Sequence, residues 1–184
     1  MKQLKVLVMD PSGNYNEGDG TTGWVLIDQD QNILSFGNLK SKHLSCRADY
    51  HHAHLELIEQ HQPNWIVLEN FVLYADKASQ QINSELETPR LLGVLEHYAW
   101  LHCIPLSYQR AVDVKARWAD DILVFKKVVT REHNRCYING MLLSRHIKDA
   151  VRHALHFTSF NKEWKEYVTQ LSAASAAYTE LPGE

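Results

Sequence analysis

The stretch that decides the fold is KVLVMDPSG, residues 5–13. It is apolar and β-branched up to a Pro-Ser-Gly turn, which predicts a buried strand from Lys5 to Asp10. Two further strands are predicted at TGWVLID (22–28) and NILSFGNL (32–39), joined through a polar DQDQ turn. Their short connections predict an antiparallel meander, and the turn-rich segment PSGNYNEGDG predicts a surface loop.

Beyond the meander, the predicted elements alternate between helix and strand. They are a helix from Asp49 to about Gln62, a strand at NWIVLEN (64–70), a helix from about Ser79 to His102, a strand at CIPLSY (103–108), a helix-like segment at VDVKARWADDIL (112–123) and a last core helix from Ser144 to Phe160. Pro89 and Gly93 allow the long helix to break, or to start near Thr88. We expect one domain over residues 1–160, followed by a C-terminal helix and frayed tail over 161–184.

Composition indicates a folded protein with a substantial core. The chain has 184 residues, of which 45% are hydrophobic, and no run approaches the roughly 20 apolar residues that a membrane span needs. The first ten residues, MKQLKVLVMD, have no long apolar stretch or small-residue cleavage site and do not resemble a signal peptide. Cys46, Cys103 and Cys136 are scattered, which predicts free thiols in a reducing cytoplasm and disfavours a structural zinc site.

Charge is unevenly distributed along the chain, although the net charge is only −3. Residues 1–109 contain seven Lys and Arg against 13 Asp and Glu, whereas residues 110–165 contain 12 against six. Such polarity favours a basic surface beside an acidic centre, but charge also fluctuates along any soluble sequence. Taken alone, the asymmetry is weak support for nucleic-acid binding.

Four residues are candidate metal ligands. Asp10 ends the first strand and Glu69 ends WIVLE, while His146 and Asp149 are three apart on the last core helix and therefore share a face. Carboxylates gathered in a partly buried site repel each other and stay ionised only if a cation or strong donors compensate. The conjunction of acids at two strand ends and on a helix face predicts a metal centre.

Each of these residues also has a simpler interpretation. Asp before Pro-Ser-Gly is typical of a turn, a Glu after WIVL can mark where a strand meets solvent, and a His-x-x-Asp pair is usually a surface contact.

Hard oxygen ligands with one imidazole suit Mg²⁺ or Mn²⁺, and two such ions about 3.5–4 Å apart hydrolyse phosphodiesters. In that hypothesis Asp10 bridges both ions, Glu69 holds one, and Asp149 with His146 holds the other or orients the water.

Several stretches resemble the RuvC-like Holliday junction resolvases, in particular their small bacteriophage versions. VLVMDPSG with TTGWVLID is similar to the family's first hairpin, and IVLENFVLY to its second-strand glutamate and aromatic loop. TPRLLGVLEHYAW is similar to the long helix of phage members, and HIKDAVRHALHF matches the signature of the last core helix. The resemblance spans roughly residues 4–157. The loop between Asp10 and Thr21 is longer than in the family, and FKKVVTREHNRCYINGMLLS has no counterpart that aligns.

The resemblance implies an α/β fold of the ribonuclease H-like type, with a mixed five-stranded sheet flanked by helices. It further implies a homodimer that nicks four-way DNA junctions symmetrically with Mg²⁺ or Mn²⁺, two ions in each site. The metal ligands fall on Asp10, Glu69 and Asp149, and His146 takes a position that is Asp in some members and His in others. The expected location is the cytoplasm, that of a bacterial host if the protein is phage-encoded.

Phosphate contacts are expected from the basic residues of the second half of the chain: Arg110, Lys115, Arg117, Lys126, Lys127, Arg131 and Arg135. Lys115 is the first choice because the family places a lysine on the equivalent helix near the scissile phosphate. An ordinary solvated helix lysine is the alternative.

Aromatic and basic residues near Glu69 are further candidates for DNA binding. Phe71 and Tyr74 can stack on unpaired bases at the crossover, or else cap the core or form a dimer seam. Arg90 can pair with DNA or with an acid such as Glu87.

Histidines outside the candidate ligands are interpreted as structural or supporting residues. His51, His52, His54 and His61 lie on a polar helix without a nearby Cys, which predicts a solvated helix face and not a metal site. His153, one turn beyond Asp149, can donate a hydrogen bond behind the metal ligands or simply pack.

Three other functions compete with a junction resolvase. A nuclease of the same fold can act more broadly on branched, forked or single-stranded DNA, and a junction-binding protein can keep the fold without cutting. An actin-like sugar kinase or ATPase domain also opens with an Asp-Gly-rich hairpin, but such proteins need two domains and more residues.

Overall fold

The computed structural model describes residues 3–15, 20–72 and 86–179. Five strands form its main sheet: β1 (Lys5–Asp10), β2 (Thr21–Asp28), β3 (Ile33–Lys40), β4 (Trp65–Glu69) and β5 (Leu106–Gln109). The spatial order is β3-β2-β1-β4-β5, in which β1, β2 and β3 are antiparallel neighbours and β4 and β5 run parallel to β1. The predicted mixed five-stranded sheet is confirmed, and its first three strands form the predicted meander.

Helices cover both faces of this sheet. They are α1 (Arg47–His61), α2 (Glu87–Leu101), α3 (Ala111–Lys115), α4 (Asp120–Phe125), α5 (Arg145–Phe160) and α6 (Lys162–Thr179), with a short 3₁₀ turn at Ser41–His43. No helix within the described ranges is long and apolar enough to cross a membrane.

The apolar run of β1 is uninterrupted because both of its faces are buried. Val6 and Val8 pack with α5 and α6 on one side, whereas Leu7 and Met9 pack with α1 and α2 on the other. The α5 side also buries Trp164 of α6, whose ring lies near those of Trp65 and Phe157. The first turns of α6 therefore belong to the same core as the strands.

A second, three-stranded antiparallel sheet lies between α4 and α5 and was not predicted. Its strands are β6 (Thr130–Glu132), β7 (Arg135–Ile138) and β8 (Met141–Leu142). The two connecting turns, His133-Asn134 and Asn139-Gly140, have positive φ at both residues, which is the geometry of tight hairpins. The dipeptide Asn139-Gly140 is a hairpin signal that was available in the sequence. The flanking strands were still missed, because two to four residues of mixed polarity show little periodicity. Cys136 and Ile138 anchor this sheet in the α5-side core.

Three helices differ from their predicted bounds. The first begins at Arg47, because the Cys46 side chain and not Asp49 caps it, accepting from the Asp49 amide. The segment 112–123 is two short helices, α3 and α4, and not one. The long helix is described from its N-cap Leu86 onward, which agrees with the predicted later start near Thr88; the rest of the predicted helix lies outside the described residues.

Candidate active site

Asp10 and Glu69 lie at the same edge of the main sheet. β1 and β4 are adjacent parallel strands in which Met9 is opposite Leu68, so the residues that follow come next to each other. Both carboxylates are mostly buried, with side-chain exposures of 14% and 18%. The sequence-predicted convergence of these two acids is therefore present in the structure.

Gly23 explains how α5 reaches this edge. It is opposite Asp10 in the β1–β2 ladder, and a Cβ there would come within 2.1–2.4 Å of the His146 and Ile147 backbone. Only a residue without a side chain lets α5 start so close to β2. As a result, His146 Nδ1 lies 2.7 Å from Asp10 Oδ2.

The start of α5 is fixed by its cap. The Ser144 hydroxyl accepts from the Ile147 amide and donates to Asn38 Oδ1 of β3 at 2.8 Å. One turn later, Asp149 points to the same edge and is only 3% exposed. The structure thus gathers Asp10, Glu69, His146 and Asp149, the four predicted ligands, around the ends of β1 and β4.

Lys115, at the end of α3, connects two of the carboxylates. Its Nζ lies 3.0 Å from Asp149 Oδ2 and 3.9 Å from Glu69 Oε1. The lysine is half-buried, so its ammonium compensates the repulsion between two acids that are themselves mostly out of water. Lys115 therefore differs from an ordinary solvated helix lysine, because its ammonium lies beside two carboxylates.

Arg152 holds the second oxygen of Asp149, and sequence reasoning missed it. Its guanidinium lies 2.6 Å from Asp149 Oδ1 and also pairs with Asp120 of α4, which in turn binds Lys148 at 2.8 Å. The i,i+3 spacing of Asp149 and Arg152 on a helix was a usable signal. Nothing in the sequence indicated Asp120, since it comes from a distant short helix.

The pKa shifts of the Asp10–His146 pair reflect their confinement. Burial raises the pKa of Asp10 and outweighs the hydrogen bond from His146, while Glu69 and Asp149 raise it further by repulsion. The hydrogen bond to Asp10 raises the pKa of His146 against the opposing effect of burial. The pair therefore retains a proton more readily than separate side chains would, as expected of acids short of positive charge.

A cleft of about 340 Å³ opens at this edge. It is lined by Asp10, Pro11, Ser12, Glu69, Asn70, Phe71, Val72, Thr88, Ala111 and Lys115. Gly13 lets the loop after β1 lie against the start of α2, because a Cβ there would come within 2.2–2.3 Å of the Glu87–Thr88 backbone. Phe71 lines the same cleft as Asp10 and Glu69.

Four other predicted DNA-binding residues are not among those that line the cleft: Arg110, Arg117, Lys126 and Lys127. Arg110 pairs with Asp113, and Arg117 lies over the Phe160 ring. Lys126 ends α4, with its Nζ 5.7 Å from the centre of the Trp118 ring, and Lys127 follows it, exposed.

Arg90 is exposed in the first turn of α2, near the cleft residue Thr88. Its suggested acidic partner, Glu87, forms an ion pair with Arg47 of α1 at 2.9 Å. Tyr74 lies outside the described residues.

The prediction of a solvated histidine face on α1 is wrong for one member. His54 is fully buried, because Thr22 and the Tyr50 carbonyl satisfy its ring nitrogens at 2.8 and 2.7 Å. His52 is exposed as expected and lies 3.5 Å from Glu56. The partners of His54 come partly from another element, so helix periodicity could not show its burial.

The donor set at the strand ends fits a hard divalent ion, since it offers three carboxylates and an imidazole. Within the described ranges, however, no three His, Cys, Asp or Glu side chains are arranged as ligands of one ion. The carboxylates are instead turned toward cationic or imidazole groups, such as Lys115, Arg152 and His146.

Comparison with solved structures identifies the architecture. The RuvC of Thermus thermophilus in complex with a Holliday junction substrate is 17% identical, with a TM-score of 0.58 over 83% of this chain and 90% of that one. A second T. thermophilus RuvC structure is 18% identical, with a TM-score of 0.54 over 83% and 92%. The chain has the fold of RuvC. The predicted ribonuclease H-like fold is thereby confirmed. A shared fold does not establish function, so the roles of the site residues depend on their own chemistry. No protein-family model and no curated protein matches the sequence.

Proposed function

We propose that the protein is a metal-dependent endodeoxyribonuclease that resolves four-way DNA junctions by paired symmetrical nicks. The observation that carries this proposal is the meeting of Asp10, Glu69 and Asp149 at one edge of a RuvC-like sheet, beside an open cleft. A solved structure of the same fold holds a Holliday junction substrate. Clustered carboxylates that repel each other are suited to bind divalent cations.

The metal-binding residues in this proposal are Asp10, Glu69, Asp149 and His146. Together these four residues would hold two ions, Mg²⁺ or Mn²⁺, and Asp149 with His146 could also orient the water. When bound, the two ions supply an activated water and stabilise the leaving oxygen of the phosphodiester. The proton shared by Asp10 and His146 would leave as the site is loaded, because metal ligands bind deprotonated.

Lys115 has two roles in the proposed reaction. In the free protein its ammonium compensates Asp149 and Glu69. Because it lines the cleft, the same ammonium would be placed to contact a phosphate of bound DNA. Phe71, which also lines the cleft, would offer an aromatic face to an unpaired base.

Basic residues of the second half of the chain extend the DNA-binding surface in this proposal. They are Arg110, Arg117, Lys126 and Lys127, with Arg90 at the start of α2. Phosphate contacts of this kind position a duplex without reading its sequence.

A homodimer is the arrangement that we propose for making paired nicks. Two opposed cuts in one junction need two sites, and each chain supplies one of the proposed sites. Trp100 and Leu101 at the end of α2 are 72% and 60% exposed, which makes this end of the helix a candidate contact. Sedimentation equilibrium should give twice the chain mass; a monomer that still makes coupled cuts would contradict the homodimer.

Residues 1–160 form the nuclease domain in this proposal, with residues 161–184 as its C-terminal extension. Cytoplasmic location is part of the same proposal. It is supported by the three cysteines, which are all free.

The decisive experiment uses four-way junctions labelled on each strand, with forks, flaps and single strands as matched substrates. With Mg²⁺ or Mn²⁺, the expected products are nicks at symmetrical positions in opposing strands. Equal cutting of forks and flaps would instead indicate a broader branched-DNA nuclease. Tight junction binding without cleavage in either metal would indicate a non-cutting junction-binding protein and reject the enzyme.

A further inference from the structure

His153 lies directly behind Glu69. It is fully buried one turn beyond Asp149 on α5, between the ends of β4 and β5. Its Nε2 lies 2.9 Å from Glu69 Oε2, and its Nδ1 lies 2.9 Å from the side-chain amide of Gln109. Gln109 is the residue opposite Glu69 in the β4–β5 ladder, so three residues from three elements form one chain of contacts.

The amide of Gln109 fixes the position of the imidazole proton. Only one orientation of this amide suits its surroundings: its nitrogen donates to His153 Nδ1 at 2.9 Å and to the His153 carbonyl at 3.1 Å, while its oxygen accepts from the Phe157 amide at 3.3 Å. Nδ1 is therefore an acceptor. In the neutral ring the proton then lies on Nε2, which donates it to Glu69.

We propose that His153 is a positioning residue for Glu69, held in its Nε2–H tautomer by Gln109. The donated hydrogen bond occupies Glu69 Oε2 and leaves Oε1 on the side of Lys115, which lies 3.9 Å from it. In this arrangement His153 is not itself a metal ligand, because Nε2 carries the proton and donates it to the Glu69 carboxylate. This inference rests on the proposed function in taking Glu69 as a metal ligand.

Partners behind a ligating carboxylate or imidazole orient it, and their loss typically lowers metal affinity or activity about 10–100-fold. His153 has the burial that such a role needs, since a hydrogen bond to a carboxylate is strengthened out of water. We therefore expect its loss to weaken metal binding more than it slows the reaction at saturating metal.

The first test is nuclear magnetic resonance of the metal-free parent protein. Long-range ¹H–¹⁵N correlations distinguish the two neutral imidazole tautomers, and a His153→Gln spectrum assigns the signals of His153 by their disappearance. The expected result is a protonated Nε2 and an unprotonated Nδ1. A proton on Nδ1 alone would overturn the proposal without any reference to enzyme activity.

The second test compares two substitutions of similar size. His153→Gln keeps an amide N–H that can reach Glu69, whereas His153→Leu keeps the volume without a donor. Calorimetric titration with Mn²⁺ should show affinity reduced about 10–100-fold in His153→Leu and restored to within about threefold of the parent in His153→Gln. The Mn²⁺ concentration that gives half-maximal cleavage should rise in a folded His153→Leu in step with its loss of Mn²⁺ affinity, and should stay near that of the parent in His153→Gln.

Failure of the two proposals can be told apart. If the parent binds Mn²⁺ and shows the expected tautomer and affinity pattern but cuts no junction, the proposed function fails and the role of His153 stands. If junctions are resolved but His153→Leu binds Mn²⁺ as the parent does, the role of His153 is wrong. If His153→Leu does not fold, two results decide: the tautomer of His153 in the parent protein and the Mn²⁺ affinity of His153→Gln. An affinity of His153→Gln far below that of the parent would overturn the proposal.

Discussion

The two faces of the main sheet carry polar clusters of opposite character. On the α1 side, His54, Thr22 and Tyr50 form a neutral, buried network; on the α5 side, Asp10 and its neighbours form a charged cluster at an open cleft. Adjacent residues of β2 serve the two sides, because Thr22 faces α1 whereas Gly23 faces α5. A single strand thus supports both a rigid network and a cluster that is suited to bind ions.

The neutral network is closed. His54 donates from Nδ1 to the Tyr50 carbonyl and accepts from Thr22 at Nε2, and the Tyr50 hydroxyl donates to the Ser12 carbonyl at 2.8 Å. Burial lowers the pKa of His54 to about 4, which keeps the ring neutral near pH 7. Such a network stabilises the loop that follows Asp10.

In the charged cluster, by contrast, the carboxylates are paired with groups that a metal cation can displace from them. Lys115 and His146 are both more than one-third exposed, and each contacts a carboxylate through a single nitrogen. From this comparison we expect the neutral side to provide stability and the charged side to provide the proposed reactivity. Five predictions test that division.

The largest effect is expected for Asp149→Asn. The variant keeps the shape of the side chain but removes a ligand charge, and cleavage of junctions should be abolished, a loss beyond the about 100-fold typical of outer partners of a metal site. Junction binding should stay largely intact, as measured by gel shift in Ca²⁺. Asp30→Asn, at an exposed carboxylate of the β2–β3 turn, is the matched control. Cleavage by Asp149→Asn at the parent rate would show that the metal site is wrong.

The pH dependence of stability should identify the neutral side. The unfolded state protonates His54 near its ordinary pKa of 6.5 and the folded state only near 4, so between these values the unfolded state binds more protons. Stability should therefore fall as pH decreases from 6.5 to 4, with His54 contributing about 3 kcal/mol.

Urea unfolding at pH 7 and at about pH 4.5 measures this effect. The difference in unfolding free energy between the two pH values should be about 2–3 kcal/mol smaller in His54→Asn than in the parent. His52→Asn, on the exposed side of the same helix, should leave the difference unchanged. An unaltered pH dependence in His54→Asn would contradict a neutral, buried ring.

Thr22→Val should destabilise the same network. It removes the hydroxyl that lies 2.8 Å from His54 Nε2 and 3.2 Å from the Ser12 amide, leaving both without that partner. The unfolding free energy at pH 7 should fall by about 1–3 kcal/mol, while folded protein should retain far more cleavage than Asp149→Asn. Thr130→Val, on exposed β6, should change stability by no more than about 0.5 kcal/mol. If Thr22→Val and Thr130→Val lowered the unfolding free energy equally, the neutral network would not be a source of stability.

Lys115→Met should increase Mn²⁺ affinity in the absence of DNA. The ammonium competes with metal for Asp149 and Glu69, and removing a half-exposed ion pair of this kind should tighten binding by up to about tenfold. Calorimetry measures the change. Lys148→Met is the control, since Lys148 pairs with Asp120 and does not contact those two carboxylates. Weaker binding in Lys115→Met would mean that the lysine supports the metal site instead of competing for it.

The smallest effect is expected away from the cleft. The double variant Lys126→Ala/Lys127→Ala should weaken junction binding similarly for all sequences and reduce the slope of log affinity against log salt by about two, one for each lysine. Lys42→Ala, in the acidic half of the chain, should leave the slope unchanged. Parent-like slopes in the double variant would remove these lysines from the proposed DNA-binding surface.

Much of the fold was predictable because its signals are local. The apolar run of β1 marks a strand buried on both faces, and Asp10 and Glu69 could be placed at strand ends by inspection. His146 and Asp149 share a helix face by spacing alone. The small sheet and the division into α3 and α4 were missed, since elements of two to six residues carry too little periodicity to be recognised.

The sequence by itself determined the order of the core elements and the types of the four candidate ligands. Only the tertiary structure decided which partners those ligands have, because the partners come from separate elements: Lys115 from α3, Asp120 from α4 and Gln109 from β5. It also buried His54, which lowers the pKa of the ring and keeps it neutral, with one ring nitrogen satisfied by a threonine 32 residues away. Sequence periodicity indicates which face of an element a side chain is on, whereas its charge state depends on the residues that surround it in the folded protein.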